Sequence, residues 1–395
     1  MVSETLPELG AGTVPPTTHG AIDSRVMRTR TAKMITLFLV GSVFALVLLV
    51  SDRPVRVPQP PDPELPRAVV TMGDSTISGE GAGDYVPGTD GRDGNWCHRS
   101  TEAMVHQLRL PADVKRFNLA CSGAKAATVG LDSASDAGRP SQAGELARIA
   151  ERYRVTDIVV AVGANNDPDF VGVLNSCVRA WFTKNSGGCS QRLRDEWPDR
   201  VAEMQPKVAD ALGDIKNVMR RAGYSRESYS LVLQSYASPV SPGIRPDLRG
   251  LSGCPLRTVD VRWVRDTAVP QLSEGLREVA EQQDVRFLDL ARAGYGHEAC
   301  TAPSESADTE WFRRLAVDWR DLEHDARAPH AMQESFHPNA AGYERIAGCL
   351  EDFLPSGRQQ AGCVTTGDGS LRLAPLGGNT AEPAPGESSA PLSPR

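Results

Sequence analysis

The sequence predicts an α/β domain built on a parallel β-sheet with helices covering both faces. Short apolar, β-branched runs recur along the chain, and longer amphipathic stretches separate them. The runs are nearly continuous in apolar character rather than alternating, as strands buried on both faces must be. They are 68–72 (AVVTM), 114–119 (VKRFNL), 157–162 (DIVVAV), 229–234 (YSLVLQ) and 285–290 (VRFLDL). Helices are expected near 99–109, 141–153, 199–222 and 260–283, with a last one near 340–354. Ligands of such a sheet bind beyond the carboxyl ends of its strands, so the loops after each run are where chemistry is to be sought.

The chain has 395 residues, of which 40 % are hydrophobic and 24 % charged, a composition suited to a globular domain. Its 43 Lys+Arg against 50 Asp+Glu leave a net charge of −7, which argues against a nucleic-acid partner. Residues 1–33 read as a disordered cytoplasmic leader rich in Thr, Gly and Pro. Residues 34–50 (MITLFLVGSVFALVLLV) carry no charge and follow Arg25, Arg28, Arg30 and Lys33. That pattern predicts a single-pass transmembrane anchor with a cytoplasmic N-terminus and an extracellular catalytic domain. The alternative is a cleaved signal peptide, with Val43-Phe44-Ala45 as its processing site and a secreted domain as its result. Six prolines in 51–66 predict an extended spacer. Residues 67–363 then form one domain, and 364–395, poor in apolar residues, read as a disordered tail.

Four loops carry candidate chemistry. The first run leads straight into Gly73-Asp74-Ser75-Thr76-Ile77-Ser78-Gly79-Glu80-Gly81, which places a Ser among glycines at a strand end. The second ends in Asn118-Leu119-Ala120-Cys121-Ser122-Gly123, where a glycine lets a backbone N–H approach a developing oxyanion. The third ends in Gly163-Ala164-Asn165-Asn166-Asp167, which offers a side-chain amide to the same oxyanion. Near the end of the domain comes Glu334-Ser335-Phe336-His337-Pro338-Asn339, with a loop His suited to general-base work. Each is an ordinary turn when taken singly. Their convergence on one edge of one sheet is what points to acyl transfer.

The blocks GDSTISGEG, NLACSGA, GANND and SFHPNAAGY, spread over 73–343, resemble those of the SGNH hydrolases (GDSL-type esterases and lipases), in particular their secreted actinobacterial branch. Asn95–Ser100 and Gly296–Cys300 are similar to further segments of that branch. The resemblance implies a three-layer α/β/α sandwich on a five-stranded, flavodoxin-like parallel sheet. It implies Ser75 as nucleophile, His337 as general base, and the N–H groups of Ser75 and Gly123 with the Asn165 side chain as oxyanion hole. Asn166 stands where the family usually has Asp, and is a weaker candidate than Asn165. Glu334 stands where many members place an Asp before the His, so it is a candidate third member of a triad; a backbone carbonyl is the alternative.

An exported domain with eight cysteines suggests disulfides. By order and spacing the pairs are Cys97–Cys121, Cys177–Cys189, Cys254–Cys300 and Cys349–Cys363, the first and third also implied by the resemblance. No Cys-x-x-Cys is present and His19, His98, His106, His297, His324 and His330 lack ligand spacing, so no metal or other cofactor is expected. His324 and His330 read as surface residues. Trp311 and Trp319, eight apart, read as one packed helix face, with an acyl or sugar pocket as the alternative. The function expected is a membrane-anchored serine esterase acting on acylated glycans or lipids of the cell envelope or outer leaflet. The alternatives are an acyltransferase that uses the same Ser75 acyl-enzyme and a glycan-binding module without catalysis.

Overall fold

The computed structural model describes residues 24–51, 59–132, 140–183, 187–323, 327 and 330–376, with the side chains of 24–32, 47–51, 320 and 322 set aside. Most of the leader 1–33, part of the spacer 51–66 and the end of the tail lie outside the described residues, as does His324. The chain divides into two units, Met1–Val57 and Pro58–Arg395. The first contains helix α1 (Ser24–Ser51). Among the described residues no helix is long and apolar enough to cross a membrane. That overturns the expected anchor at 34–50 and, with it, the single-pass placement with a cytoplasmic N-terminus.

The second unit holds the sheet. In chain order its elements are β1 (Arg67–Gly73), α2 (Ser75–Ser78), α3 (Met104–Gln107), β2 (Lys115–Asn118), α4 (Ala126–Val129), α5 (Gln142–Ala150) and β3 (Arg154–Ala161). There follow α6 (Phe170–Phe182), α7 (Cys189–Arg221), β4 (Ser230–Gln234), α8 (Thr258–Trp263), α9 (Val269–Gln282) and β5 (Arg286–Asp289). The unit closes with α10 (Trp319–Leu322), α11 (Ala340–Phe353), β6 (Gln360–Thr365) and β7 (Leu371–Ala374). The strand order is β2-β1-β3-β4-β5-β6-β7. Its first five strands follow the 2-1-3-4-5 order of doubly wound sheets.

The sheet has seven strands, not five. β6 continues the parallel pairing beside β5, and β7 turns back antiparallel on β6. These two strands escape sequence reading because β6 (QAGCVT) is built from small residues and β7 lies within the polar stretch 364–395. Helix α7 runs through Pro198 and Pro206, so it begins ten residues before the expected 199. The helix expected near 99–109 shrinks to the single turn α3.

Core burial follows the strands: Val69, Val70, Met72, Ile158, Val159, Val160, Val232 and Leu288 are at most 1 % exposed. Two groups of helices touch the sheet. Helices α3 and α11 pack on each other, whereas α7 packs against α4, α5 and α9. Four disulfides join Cys97–Cys121, Cys177–Cys189, Cys254–Cys300 and Cys349–Cys363, and no described cysteine is free. Such bridges form and persist in oxidising surroundings.

Candidate active site

Strand β1 sits between β2 and β3, so its carboxyl end is flanked by two loops. It stops at Gly73, whose φ is +135° and where a Cβ would lie 1.9 Å from the Ala161 carbonyl oxygen, so only glycine fits this approach to β3. The buried side chain of Gln142 on α5 clamps the same residue: the Gly73 N–H donates to its Oε1 (2.7 Å) and its Nε2 donates to the Gly73 carbonyl (2.8 Å). Asp74 then caps α2, accepting from the Thr76 N–H at 3.1 Å and from the Thr76 hydroxyl at 2.9 Å. Its other oxygen accepts from the buried Tyr236 hydroxyl. Burial pushes the Asp74 carboxyl up to about 6, against the opposing pull of those hydrogen bonds. Ser75 is thereby fixed at the first helical position, 6 % exposed.

His337 arrives from the other end of the chain. The preceding Phe336 is held at φ +59°, a left-handed conformation costly for a bulky residue. Backbone bonds with Arg313 hold the turn: Phe336 N–H to Arg313 O (3.1 Å) and Arg313 N–H to His337 O (2.9 Å). The imidazole Nδ1 lies 3.1 Å from the Ser335 carbonyl oxygen and Nε2 lies 2.7 Å from Ser75 Oγ. A carbonyl only accepts, so Nδ1 carries the proton and Nε2 is left to accept from the Ser75 hydroxyl. The ring is 5 % exposed and meets Phe170 edge-on, at 5.7 Å between centroids. Burial holds the imidazolium below its ordinary range, and the carboxylates of Glu80 and then Glu334 pull the other way.

Glu334 does not orient the imidazole. Its Oε1 accepts from the Tyr85 hydroxyl at 2.8 Å and its Oε2 from the Arg313 guanidinium at 2.5 Å. The Ser335 carbonyl occupies the place a triad carboxylate would take. Gly123 lies in the turn after β2, at φ +77°, and the Cys121 N–H donates to the Gly73 carbonyl at 3.0 Å, which brings that turn beside the end of β1. Asn165 lines the same pocket as Ser75 and His337. The Asn166 side chain instead accepts from the Ala126 N–H at 3.0 Å and ties its loop to α4. The pocket wall is mostly apolar, with Phe170, Leu174, Val240, Leu256 and Val264 among its residues, although Thr76, Gln234, Ser235 and Asp260 also line it. Among the described residues no cluster of three His, Cys, Asp or Glu could hold a metal ion.

Several residues around the site were not singled out from sequence. Asp74, Gln142 and Tyr236 hold the Ser75 turn; Glu80, Tyr85 and His98 form a buried polar cluster behind it. Glu80 and His98 did lie inside the quoted blocks, but nothing in their spacing pairs them. Trp311 and Trp319 do not share a helix: Trp311 is buried and stacks on His297 at 4.0 Å, while Trp319 begins α10 and is 70 % exposed. His330, expected at the surface, is half-buried and stacks on Trp96 at 4.0 Å.

The family model for GDSL-like lipases and acylhydrolases matches residues 71–345. Comparison with curated proteins gives no match. Among solved structures, the extracellular lipase of Streptomyces rimosus is 19 % identical and aligns over 73 % of this chain and 97 % of its own, with a TM-score of 0.49. Phospholipase A1 of Streptomyces albidoflavus is 22 % identical over 74 % of this chain and 99 % of its own, with a TM-score of 0.48. A carbohydrate acetylesterase of Sinorhizobium meliloti is 13 % identical over 73 % and 98 %, with a TM-score of 0.36. The family match runs from the middle of β1 past His337 into α11 and covers well over half of the chain. This protein therefore belongs to the GDSL-like lipase/acylhydrolase family, the SGNH hydrolases, and is a carboxylic ester hydrolase.

Proposed function

We propose that the chain hydrolyses carboxylic esters with an apolar acyl chain through a Ser75 acyl-enzyme, with His337 as general base. The observation that carries this reading is the 2.7 Å contact between His337 Nε2 and Ser75 Oγ, in a site where Nδ1 is already committed to a carbonyl. As Oγ attacks the ester carbonyl carbon, its proton passes to Nε2 and the carbonyl electron pair moves onto oxygen. The N–H groups of Ser75 and Gly123 and the Asn165 amide are the donors for that oxyanion. Collapse expels the alcohol, which takes the proton back from Nε2. A water molecule then repeats the sequence on the acyl-enzyme, with His337 again as base.

The apolar wall beside Ser75 supports an acyl chain longer than acetyl, because a hydrocarbon chain gains about 0.8 kcal/mol for each CH₂ buried. The same acyl-enzyme could pass its acyl group to another hydroxyl, and assays with and without an added polyol acceptor separate the two fates. The test is turnover of p-nitrophenyl esters from acetate to palmitate by the full chain with its disulfides formed, beside Ser75→Ala. We expect kcat/KM to peak above acetate and the variant to lose about 10⁵-fold or more in kcat. Turnover that survives in Ser75→Ala would overturn the assignment of the nucleophile. A profile that peaks at acetate would overturn the acyl-chain reading.

A further inference from the structure

A serine hydrolase must stabilise the imidazolium that forms when histidine takes the serine proton, and a triad carboxylate on Nδ1 ordinarily does so. Here Nδ1 faces the neutral Ser335 carbonyl, and Glu334 is turned to Tyr85 and Arg313. Another carboxylate lies within the segment packed on His337. Glu80 is 0 % exposed and follows the helix that carries Ser75. Its neighbour Gly81 lies so close to the histidine that a Cβ there would come within 3.0 Å of His337 Cβ and 2.9 Å of the Pro338 carbonyl oxygen. The Tyr343 hydroxyl shares its one proton between the Ser75 carbonyl (3.2 Å) and the Glu80 carbonyl (3.0 Å), and so ties the two residues to one point of α11.

The Glu80 carboxylate is fully engaged. Oε1 meets His98 Nδ1 at 2.8 Å and lies 3.3 Å from the Tyr85 hydroxyl oxygen; Oε2 accepts from Gln333 Nε2 at 2.7 Å. Burial would raise its proton affinity, but the hydrogen bond and charge of His98, followed by the charge of His337, hold it below its usual range. The charged form therefore persists where water cannot screen it.

We propose that Glu80 is a positioning residue: its buried carboxylate supplies the negative charge that the Ser335 carbonyl lacks, and so stabilises the His337 imidazolium formed during acyl transfer. The inference rests on the Ser75–His337 reading above. The proton balance is unchanged: it leaves Ser75 Oγ for His337 Nε2, Glu80 stays ionised throughout, and the proton goes on to the leaving alkoxide. The groups that share this field are Asp74 and Glu80 on the Ser75 segment, Tyr85 and His98 on the loop beyond it, Arg313, Glu334 on the histidine's own loop, and Tyr343 on α11.

The test is Glu80→Gln, which keeps the shape and removes the charge, compared with Glu80→Asp. Each is assayed for the pH profile of kcat/KM on p-nitrophenyl butyrate, with Ser75→Ala beside them. Loss of the carboxylate lowers the proton affinity of His337, so the acid limb of E80Q should move to lower pH by about one unit while kcat falls about tenfold and KM changes little. E80D should keep most of the wild-type limb. Should E80Q not fold because His98 loses its partner, the double variant E80Q/H98Q replaces the pair by two neutral amides and should move the acid limb in the same direction by less. An acid limb that stays in place in the folded variants would overturn the proposal and leave Glu80 a packing residue. Activity retained in S75A would instead overturn the reading on which it rests.

Discussion

The two ends of the sheet both tie a polar side chain to fixed partners, yet they do so for opposite ends. At the amino end, Arg286 on β5 donates to the carbonyls of Phe353 (2.6 Å), Leu354 (2.9 Å) and Arg358 (2.9 Å) and to the Ser230 hydroxyl (3.0 Å), and lies over the Phe353 ring at 4.1 Å. Every direction of the guanidinium fork finds a fixed acceptor. At the carboxyl end, Ser75 Oγ and His337 Nε2 are bonded to each other and open onto an apolar pocket. A side chain with its donors satisfied therefore does not mark function by itself. What distinguishes the carboxyl end is a proton shared between two groups that a substrate carbonyl can interrupt.

The largest effect that would break this comparison concerns the oxyanion. If Asn165 donates to it, Asn165→Ala should lower kcat about 100- to 1,000-fold, roughly 3–4 kcal/mol, with little change in thermal stability. Asn166→Ala should act differently: its side chain holds the Ala126 N–H, so stability should fall more than kcat measured per folded molecule. Steady-state kinetics and thermal unfolding of the two variants side by side decide it. The same loss of kcat in both would merge the roles assigned to the two asparagines.

A second effect sharpens the contrast through pH. Burial pushes the Asp74 carboxyl up to about 6, above its usual value near 4. The folded chain then binds more protons than the unfolded chain between about pH 4 and 6, so stability falls as pH rises through that window, by up to roughly 3 kcal/mol. Asp74→Asn retains an acceptor for the Thr76 N–H and cannot titrate. Urea unfolding at pH 4, 5, 6 and 7, with disulfides intact, should show the wild type losing stability relative to D74N as pH rises. A difference that is flat, or that grows with pH, would mean that the Tyr236 and Thr76 bonds outweigh burial.

The carboxyl end was largely legible in the sequence because strand termini are marked by residue type. Ser75, Gly123, Asn165 and His337 each follow an apolar run, or a loop with strong turn chemistry, and topology alone gathers such loops on one edge. What sequence could not convey was the side-chain pairing across those loops. Glu334 stood at a plausible distance from His337, but the left-handed turn at Phe336 separates them and leaves Ser335 to face the ring. Glu80 and His98 meet across 18 residues of loop, a contact that no periodicity announces. The far edge was hidden for another reason: β6 and β7 are strands by virtue of pairing with β5 and each other, not through apolar content. The charge-free run 34–50 suggested a membrane span, yet among the described residues no helix is long and apolar enough to cross a membrane.

The smallest effect tests the amino end alone. Arg286→Met keeps an unbranched apolar stem over Phe353 and removes the fork, so the carbonyls of Phe353, Leu354 and Arg358 lose a shared donor. Arg286 is itself only half-buried, so water can replace part of what is lost, and the net cost should be about 1–2 kcal/mol, a few degrees in thermal midpoint. The sheet separates this knot from Ser75, and kcat per folded molecule should be unchanged. The pair of readouts carries the argument: R286M moves stability and spares kcat, whereas N165A moves kcat and spares stability. A fall in kcat in R286M without loss of stability would show that the two ends are coupled, and that the saturated shell of Arg286 tunes the site it was taken to ignore.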